Sequence, residues 1–200
     1  SMIKKIKYLK YYAYVLLNNW MIKKNSYAQH GEDILVETLL PQGVKSFIDI
    51  GANDGVLFSN TYKFAKKGAR GLCVEPSPSS YKKLFLNQLP NWRVKTVNVA
   101  ISNKNSKVFF EEDGYEQVLS KVTTKKSSSS KILKCITFNR LLTQFPSFKN
   151  IDLLSVDVED HEHEIFHGLI INNFRSKVII LESDLNKLEE LLKIKSLQNY

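Results

Sequence analysis

Ser46-Phe47-Ile48-Asp49-Ile50-Gly51-Ala52-Asn53-Asp54-Gly55 is the stretch from which the fold can be read. A short apolar run, with one acid near its end, passes directly into a loop bounded by two glycines. Residues 59–67 beyond the loop suit a helix. An apolar run without polar alternation marks a strand covered on both faces. Gly71-Leu72-Cys73-Val74-Glu75 is a second such run, stopped by Pro76 and followed by a helical 79–88. Residues 93–99 form a third, Ile151-Asp152-Leu153-Leu154-Ser155-Val156-Asp157 a fourth, and 176–182, around Val178-Ile179-Ile180-Leu181, a fifth. Strands of this kind separated by helical segments predict a doubly wound α/β domain with a mostly parallel sheet.

One region departs from that rhythm. Residues 107–111 and 132–137 read as further strands, and the Ser/Lys-rich stretch 120–131 between them can bury almost nothing. It is expected to be a mobile surface loop. Cys73 and Cys135 both fall in apolar strands and read as inert core thiols; two cysteines cannot build a disulfide scaffold.

At 200 residues the chain has the length of one domain, and 43% apolar with 24% charged residues is ordinary globular composition, which excludes a disordered or fibrous protein. The formal net charge is +9, but it is unevenly spread. Lys4, Lys5, Lys7, Lys10, Lys23 and Lys24, then Lys121, Lys125, Lys126, Lys131 and Lys134, lie in two stretches without an acid. Without those 11 lysines, 18 bases face 20 acids, so the core is not a basic channel. Ser1-Met2 reads as an expression scar. Residues 1–25 then form a basic amphipathic N-terminal helix, with Ile3, Ile6, Leu9, Ala13, Leu16, Leu17 and Trp20 near helical spacing, ahead of a domain over 26–200. The apolar run 11–17 falls far short of the ~20 residues of a spanning helix. The stripe is expected to pack on its own domain; peripheral contact of 3–24 with an anionic membrane is the alternative, and the location is read as cytoplasmic.

The loop after the first strand carries the chemistry. In an open parallel sheet ligands bind beyond the carboxyl ends of strands, and a glycine there lets the backbone approach a ligand. A dinucleotide site wants G-x-G-x-x-G, with its second glycine making room for pyrophosphate; here that position is Asn53. The spacing is instead D-x-G-x-x-x-G, over Asp49, Gly51 and Gly55, as in S-adenosylmethionine sites. Glu75, ending the second strand, can accept hydrogen bonds from both ribose hydroxyls. Together they specify an adenosine-type cofactor.

These pieces resemble the FkbM family of S-adenosylmethionine-dependent methyltransferases, over residues 26–183. The likeness rests on Ser26-Tyr27-Ala28-Gln29-His30-Gly31-Glu32-Asp33, on Phe47 to Gly55, on Val74-Glu75-Pro76, on Asn98-Val99-Ala100-Ile101-Ser102, and on Asp152 to Glu162. It implies a Rossmann-like class I methyltransferase fold and O-methylation of a sugar, glycan or natural-product hydroxyl. It also implies that Asp49, Gly51, Asn53 and Gly55 sit at the methionine end of the cofactor and Glu75 with Pro76 at its ribose. Asn98 and Ala100 would lie beside the adenine, and Gln29 and Asp33 would close the pocket from the N-terminal side. Asp160 stands where the family usually has glycine. After Ser183 a single helix, 185–194, leads to Tyr200, where the family's final antiparallel strands would begin, so the C-terminal end reads as truncated or lacking them.

Asp157, Glu159, Asp160, His161, Glu162, His163, Glu164 and His167 form the densest polar cluster. Asp157, at a strand's carboxyl end, is best placed to face the transferred methyl, with Glu159 beside it. His161 suits a general base near neutrality. His163, Glu164 and His167 read as a solvated helix face. Asp157 with Glu182 or Asp184 would suit Mg²⁺, but no spacing is diagnostic and no metal is expected. Two other readings compete. An RNA ribose methyltransferase would want a catalytic lysine, for which Lys45 and Lys177 are available. A catalytically inactive membrane- or partner-binding module would bind cofactor without turnover.

Overall fold

The computed structural model describes residues 10, 13, 24–111, 121–123, 131–158, 165–166 and 174–182. Strand β1 (Ser46–Ile50) is buried at every position, as a strand with no polar alternation must be. It pairs in parallel with β2 (Arg70–Val74) on one side and with a strand from late in the chain on the other. β3 (Val94–Val97) extends the sheet beyond β2.

The chain then leaves this sheet. β4 (Ala100–Ile101), β5 (Ser106–Glu111), β6 (Lys121–Thr123) and β7 (Lys131–Ile136) form a second sheet in the order β4-β7-β5-β6. Its pairings are antiparallel apart from the short parallel β4–β7 pair. β8 (Asn150–Val156) returns beside β1, and β9 (Arg175–Leu181) closes the main sheet, giving β3-β2-β1-β8-β9 with every pairing parallel. The fold is therefore a mostly parallel α/β sheet with helices on its faces, in the Rossmann-like arrangement of class I methyltransferases.

Strand alternation divides the core into two layers. Ile48, Ile50, Leu72, Val74, Leu154 and Val156 face α4 (Phe138–Gln144) and the short 3₁₀ turn Pro146–Phe148 through Phe138, Leu141, Leu142 and Phe148. Phe47, Cys73 and Leu153 face Val36 of α1 (Glu32–Leu39), Phe64 and Ala65 of α2 (Tyr62–Lys66), and Leu84 of α3 (Pro78–Gln88). The sheet is covered on both sides, as the apolar runs predict.

The 120–131 loop needs correction. Lys121–Thr123 is a strand paired antiparallel with Phe109–Glu111, and Lys131 already belongs to β7. Val122 and Thr123 are β-branched, and the edge of β5 would otherwise leave a row of backbone groups unpaired. Residues 124–130 lie outside the described residues. So do nearly all of the N-terminal stripe and the helix expected over 185–194. Of the stripe only Ala13 is described; it is helical and exposed. Among the described residues no helix is long and apolar enough to cross a membrane.

Candidate functional site

The strand order reverses at β1. From β1 the chain moves outward to β2 and β3, and later returns on the other side as β8. A crevice opens at such a switch point, beyond the carboxyl ends of the two strands. The glycine loop leaves β1 there. The Gly51 and Ala52 N–H groups both reach the Val74 carbonyl, at 2.9 and 3.1 Å, and the Asp157 N–H reaches the Ile50 carbonyl at 2.9 Å. The ends of β2, β1 and β8 are thus stitched together at one point.

Gly51 has a different reason for being glycine from the one expected. Its φ is +86°, and a Cβ would stand 1.7 Å from the Asp157 carbonyl oxygen. The space left by its missing side chain is filled by the backbone of β8's end, not reserved for a ligand. Gly55 is similar: a Cβ there would meet Leu84 and Gln88 of α3 at 2.5 and 2.8 Å.

α3 holds the loop from outside. The Asn87 side chain donates to the Asp54 carbonyl at 2.7 Å, and the Gln88 side chain to the Gly55 carbonyl at 3.0 Å. Both amides are buried. Asp54 turns its own carboxylate onto the Val56 and Leu57 N–H groups, at 2.9 and 2.8 Å. Neither Asn87 nor Gln88 was singled out in the sequence. The available signal was Leu84, Asn87 and Gln88 at helical spacing, which puts two amides on an inward face.

Two carboxyls are buried at the site. Asp49 shares a sheet face with Ser155, its register partner on β8. It accepts hydrogen bonds from Thr61 Oγ1, at 2.6 Å, and from Ser155, and Asn60 in turn donates to Ser155 at 3.2 Å. Burial pushes the Asp49 carboxyl up to about 6 against those hydrogen bonds. Glu75 lies just past β2. Its Oε2 accepts from the Asn53 N–H at 2.8 Å and its Oε1 from the Ser77 N–H at 2.7 Å. Burial pushes it up to about 7, opposed by these two hydrogen bonds and assisted by the charge of Asp49. A carboxylate oxygen can accept two hydrogen bonds, so each Glu75 oxygen keeps one lone pair beyond its bond to the chain. Two acceptor positions therefore remain on this carboxylate. Asn53 itself has φ +48°, and its side chain occupies the position where a dinucleotide loop needs glycine.

The other expected residues divide. Asn98 donates to the carbonyls of Glu75 and Pro76 at 2.8 and 2.9 Å, so its amide fixes the strand end carrying the acid. Ala100 is buried at the start of β4, in the second sheet. Gln29 is exposed, next to Ala28, which forms an isolated bridge with Phe58. Asp33 is fully buried, and its carboxylate accepts from Ser26 Oγ at 2.5 Å and the Tyr27 N–H at 2.8 Å. It ties down the segment ahead of α1. Asp157 and Val158 are described; Glu159, Asp160, His161, Glu162, His163, Glu164, His167 and Asp184 lie outside the described residues. Glu182 is exposed at the end of β9, its N–H on the Val156 carbonyl at 3.2 Å. Among the described residues no group of three or more His, Cys, Asp and Glu is placed to hold a metal ion.

Lys45 and Lys177 sit at the opposite edge of the sheet. The Lys45 N–H and the Lys177 ammonium both bind Asp152, at 2.8 Å each, beside the starting ends of β1 and β9. Neither lysine approaches the glycine loop.

Residues 49–197, more than half of the chain, match the model of the methyltransferase FkbM domain. No curated protein matches the sequence. Among solved structures, the methyltransferase FkbM from Methylobacillus flagellatus KT is similar at 12% identity and a TM-score of 0.41, over 62% of this chain and 28% of that one. The precorrin-6y C5,15-methyltransferase from Geobacter metallireducens GS-15 is similar at 14% identity and a TM-score of 0.46, over 86% of this chain and 72% of that one. The chain thus spans less than a third of the length of the Methylobacillus protein.

Proposed function

The chain belongs to the methyltransferase FkbM domain family, and from that premise we propose that it transfers a methyl group from S-adenosylmethionine to a hydroxyl of a sugar, glycan or natural product. The observation that supports this most is the pairing of Glu75 with the glycine loop at the switch point. A buried carboxylate with one lone pair left on each oxygen is tied by the Asn53 N–H to a loop that carries asparagine where a dinucleotide loop wants glycine.

When bound, S-adenosylmethionine supplies an electrophilic methyl on a positively charged sulfur. The acceptor hydroxyl oxygen bonds to that methyl carbon as the carbon–sulfur bond breaks, and the hydroxyl proton passes to a base. The protein's task is chiefly to hold the reacting atoms in line. Asp157 suits the orienting role, because its backbone is fixed between the Ile50 carbonyl and Gly51. Glu159 and His161 follow it directly in sequence, and a histidine is the natural base near neutral pH. The acceptor is read as a small molecule or glycan and not RNA, since the Lys177 ammonium is paired with Asp152 and Lys45 precedes β1, at the end of the strand away from the glycine loop.

Calorimetry with S-adenosylmethionine, its demethylated product and NAD tests the reading. The first two should bind and NAD should not, and Glu75→Ala should weaken cofactor binding by about 1.5–3 kcal/mol. Tight NAD binding without S-adenosylmethionine binding would end it.

A further inference from the structure

α3 has two contrasting faces. The inward one, Leu84, Asn87 and Gln88, grips the glycine loop. The outward one carries Lys82, Phe85 and Leu89 at helical spacing, with Phe85 48% and Leu89 50% exposed. The turn that follows adds Trp92, 86% exposed, with the Arg93 guanidinium 5.8 Å from its ring. Exposed apolar residues are unremarkable singly, but three large ones in a row, ending in a nearly bare tryptophan, form a patch. The stretch of chain that carries them holds charge of one sign. Residues 76–110 contain Lys82, Lys83, Arg93, Lys95, Lys104 and Lys107 and no Asp or Glu. Lys82 and Arg93 are exposed, whereas Lys95, on the edge strand β3, sets its ammonium 5.5 Å from the Phe145 ring centroid on the other face of the sheet.

We propose that this face, from Lys82 through Arg93, docks on an anionic lipid bilayer. The charge and the size of the patch together select that occupant. Three side chains of this kind cover at most several hundred Å², well below the roughly 800 Å² per partner of a stable protein interface. A bilayer asks for less: shallow insertion of a few apolar side chains, a tryptophan at the headgroup level, and bases facing anionic lipid. Single-stranded nucleic acid would want a groove with successive stacking rings. Leu89 cannot stack, and the patch lies on the outside of a helix. The patch shares no residue with the glycine loop, so the proposal stands independently of the methyl-transfer reading.

The test is co-sedimentation of the full chain with phosphatidylcholine vesicles, with and without phosphatidylglycerol, at low and high salt. Binding should require phosphatidylglycerol and weaken with salt. Phe85→Ser with Trp92→Ser should reduce it at least tenfold, thermal unfolding confirming that the fold is intact. Lys82→Glu with Arg93→Glu should reduce it by at least roughly fivefold per base and leaves the apolar residues in place. No binding by the wild-type chain, or equal binding by both double variants, overturns the proposal; the latter moves the contact to residues 3–24 or elsewhere. A single-stranded RNA that displaces the vesicles and loses affinity in the same variants overturns it in favour of nucleic acid. A concentration-dependent dimer broken by Trp92→Ser overturns it in favour of self-association.

Discussion

Gly51→Ala should damage this protein far more than an ordinary glycine substitution. A Cβ at that position stands 1.7 Å from the Asp157 carbonyl oxygen and 2.8 Å from its carbonyl carbon. To reach ordinary contact the two backbones must part by roughly 1.5 Å or more. Neither atom belongs to a side chain that could swing away. Parting them breaks the hydrogen bond from the Asp157 N–H to the Ile50 carbonyl, a loss of about 1 kcal/mol. Forcing a Cβ into the left-handed region adds about 1–2 kcal/mol, and the displaced end of β8 adds the ~1–3 kcal/mol typical of overpacking. The total, about 3–6 kcal/mol, is a large share of the ~5–15 kcal/mol of a typical domain. Gly43 supplies the control. Its φ is +77°, but nothing lies within 4 Å of where its Cβ would be, so Gly43→Ala should show the conformational strain alone. Urea unfolding of the two variants side by side isolates the clash. If Gly51→Ala is no less stable than Gly43→Ala, the close approach of β1 and β8 is wrong, and with it the account of how Asp157 is positioned.

Other outcomes follow from the same contacts. Asn87→Ala should cost about 1 kcal/mol of stability and weaken cofactor binding as well, by freeing the Asp54 carbonyl; unchanged cofactor affinity would show that the helix does not shape the loop. Glu75 has its folded pKa raised from 4.5 to about 7, so the folded state holds a proton that the unfolded state has released. Its contribution to stability therefore falls as pH rises from about 4.5 to about 7 and is level above that; Glu75→Gln should remove that slope in thermal unfolding scans across this range. A ligand that donates hydrogen bonds to ionised Glu75 should for the same reason bind more weakly below pH 7 and release protons there, measurable by calorimetry in buffers of different ionisation enthalpy. Asp157→Asn should lower turnover severely with cofactor affinity nearly unchanged, and full activity in that variant would move the acceptor site elsewhere.

The sheet was legible because its signal is local. Ser46–Ile50 is apolar at nearly every position since both of its faces are buried, and that pattern needs no knowledge of the partner strands. The second sheet was only half legible. Lys121–Thr123 is short and sits among lysines and serines, and its reason for being extended is the unpaired edge of β5, which lies in another part of the chain. α4 escaped for a related reason: Phe138–Gln144 is only seven residues, too few for a periodic pattern to stand out. Its start could have been read from Thr137, whose side chain accepts the Arg140 N–H at 3.1 Å as an N-cap.

At the site, residue types were legible and their reasons were not. Glycine at position 51 can be read from the loop spacing as room for a ligand, yet what removes the side chain is a carbonyl from β8, far along the chain. The family resemblance sets Asp33 at a pocket wall, and its carboxylate also accepts from Ser26 Oγ and the Tyr27 N–H, which the sequence did not reveal. In both cases a polar or small residue answers to backbone groups before it answers to any ligand, because a buried N–H or carbonyl left unpaired costs more than most ligand contacts return. Glu75 is the residue proposed to do both. Its two internal hydrogen bonds hold the carboxylate still, while the lone pair left on each oxygen would let it receive the proposed cofactor's diol without releasing the loop. A carboxylate free of those bonds would have to be ordered at the moment of binding, so Asn53 and Ser77, through their backbones alone, set the acid in place in advance.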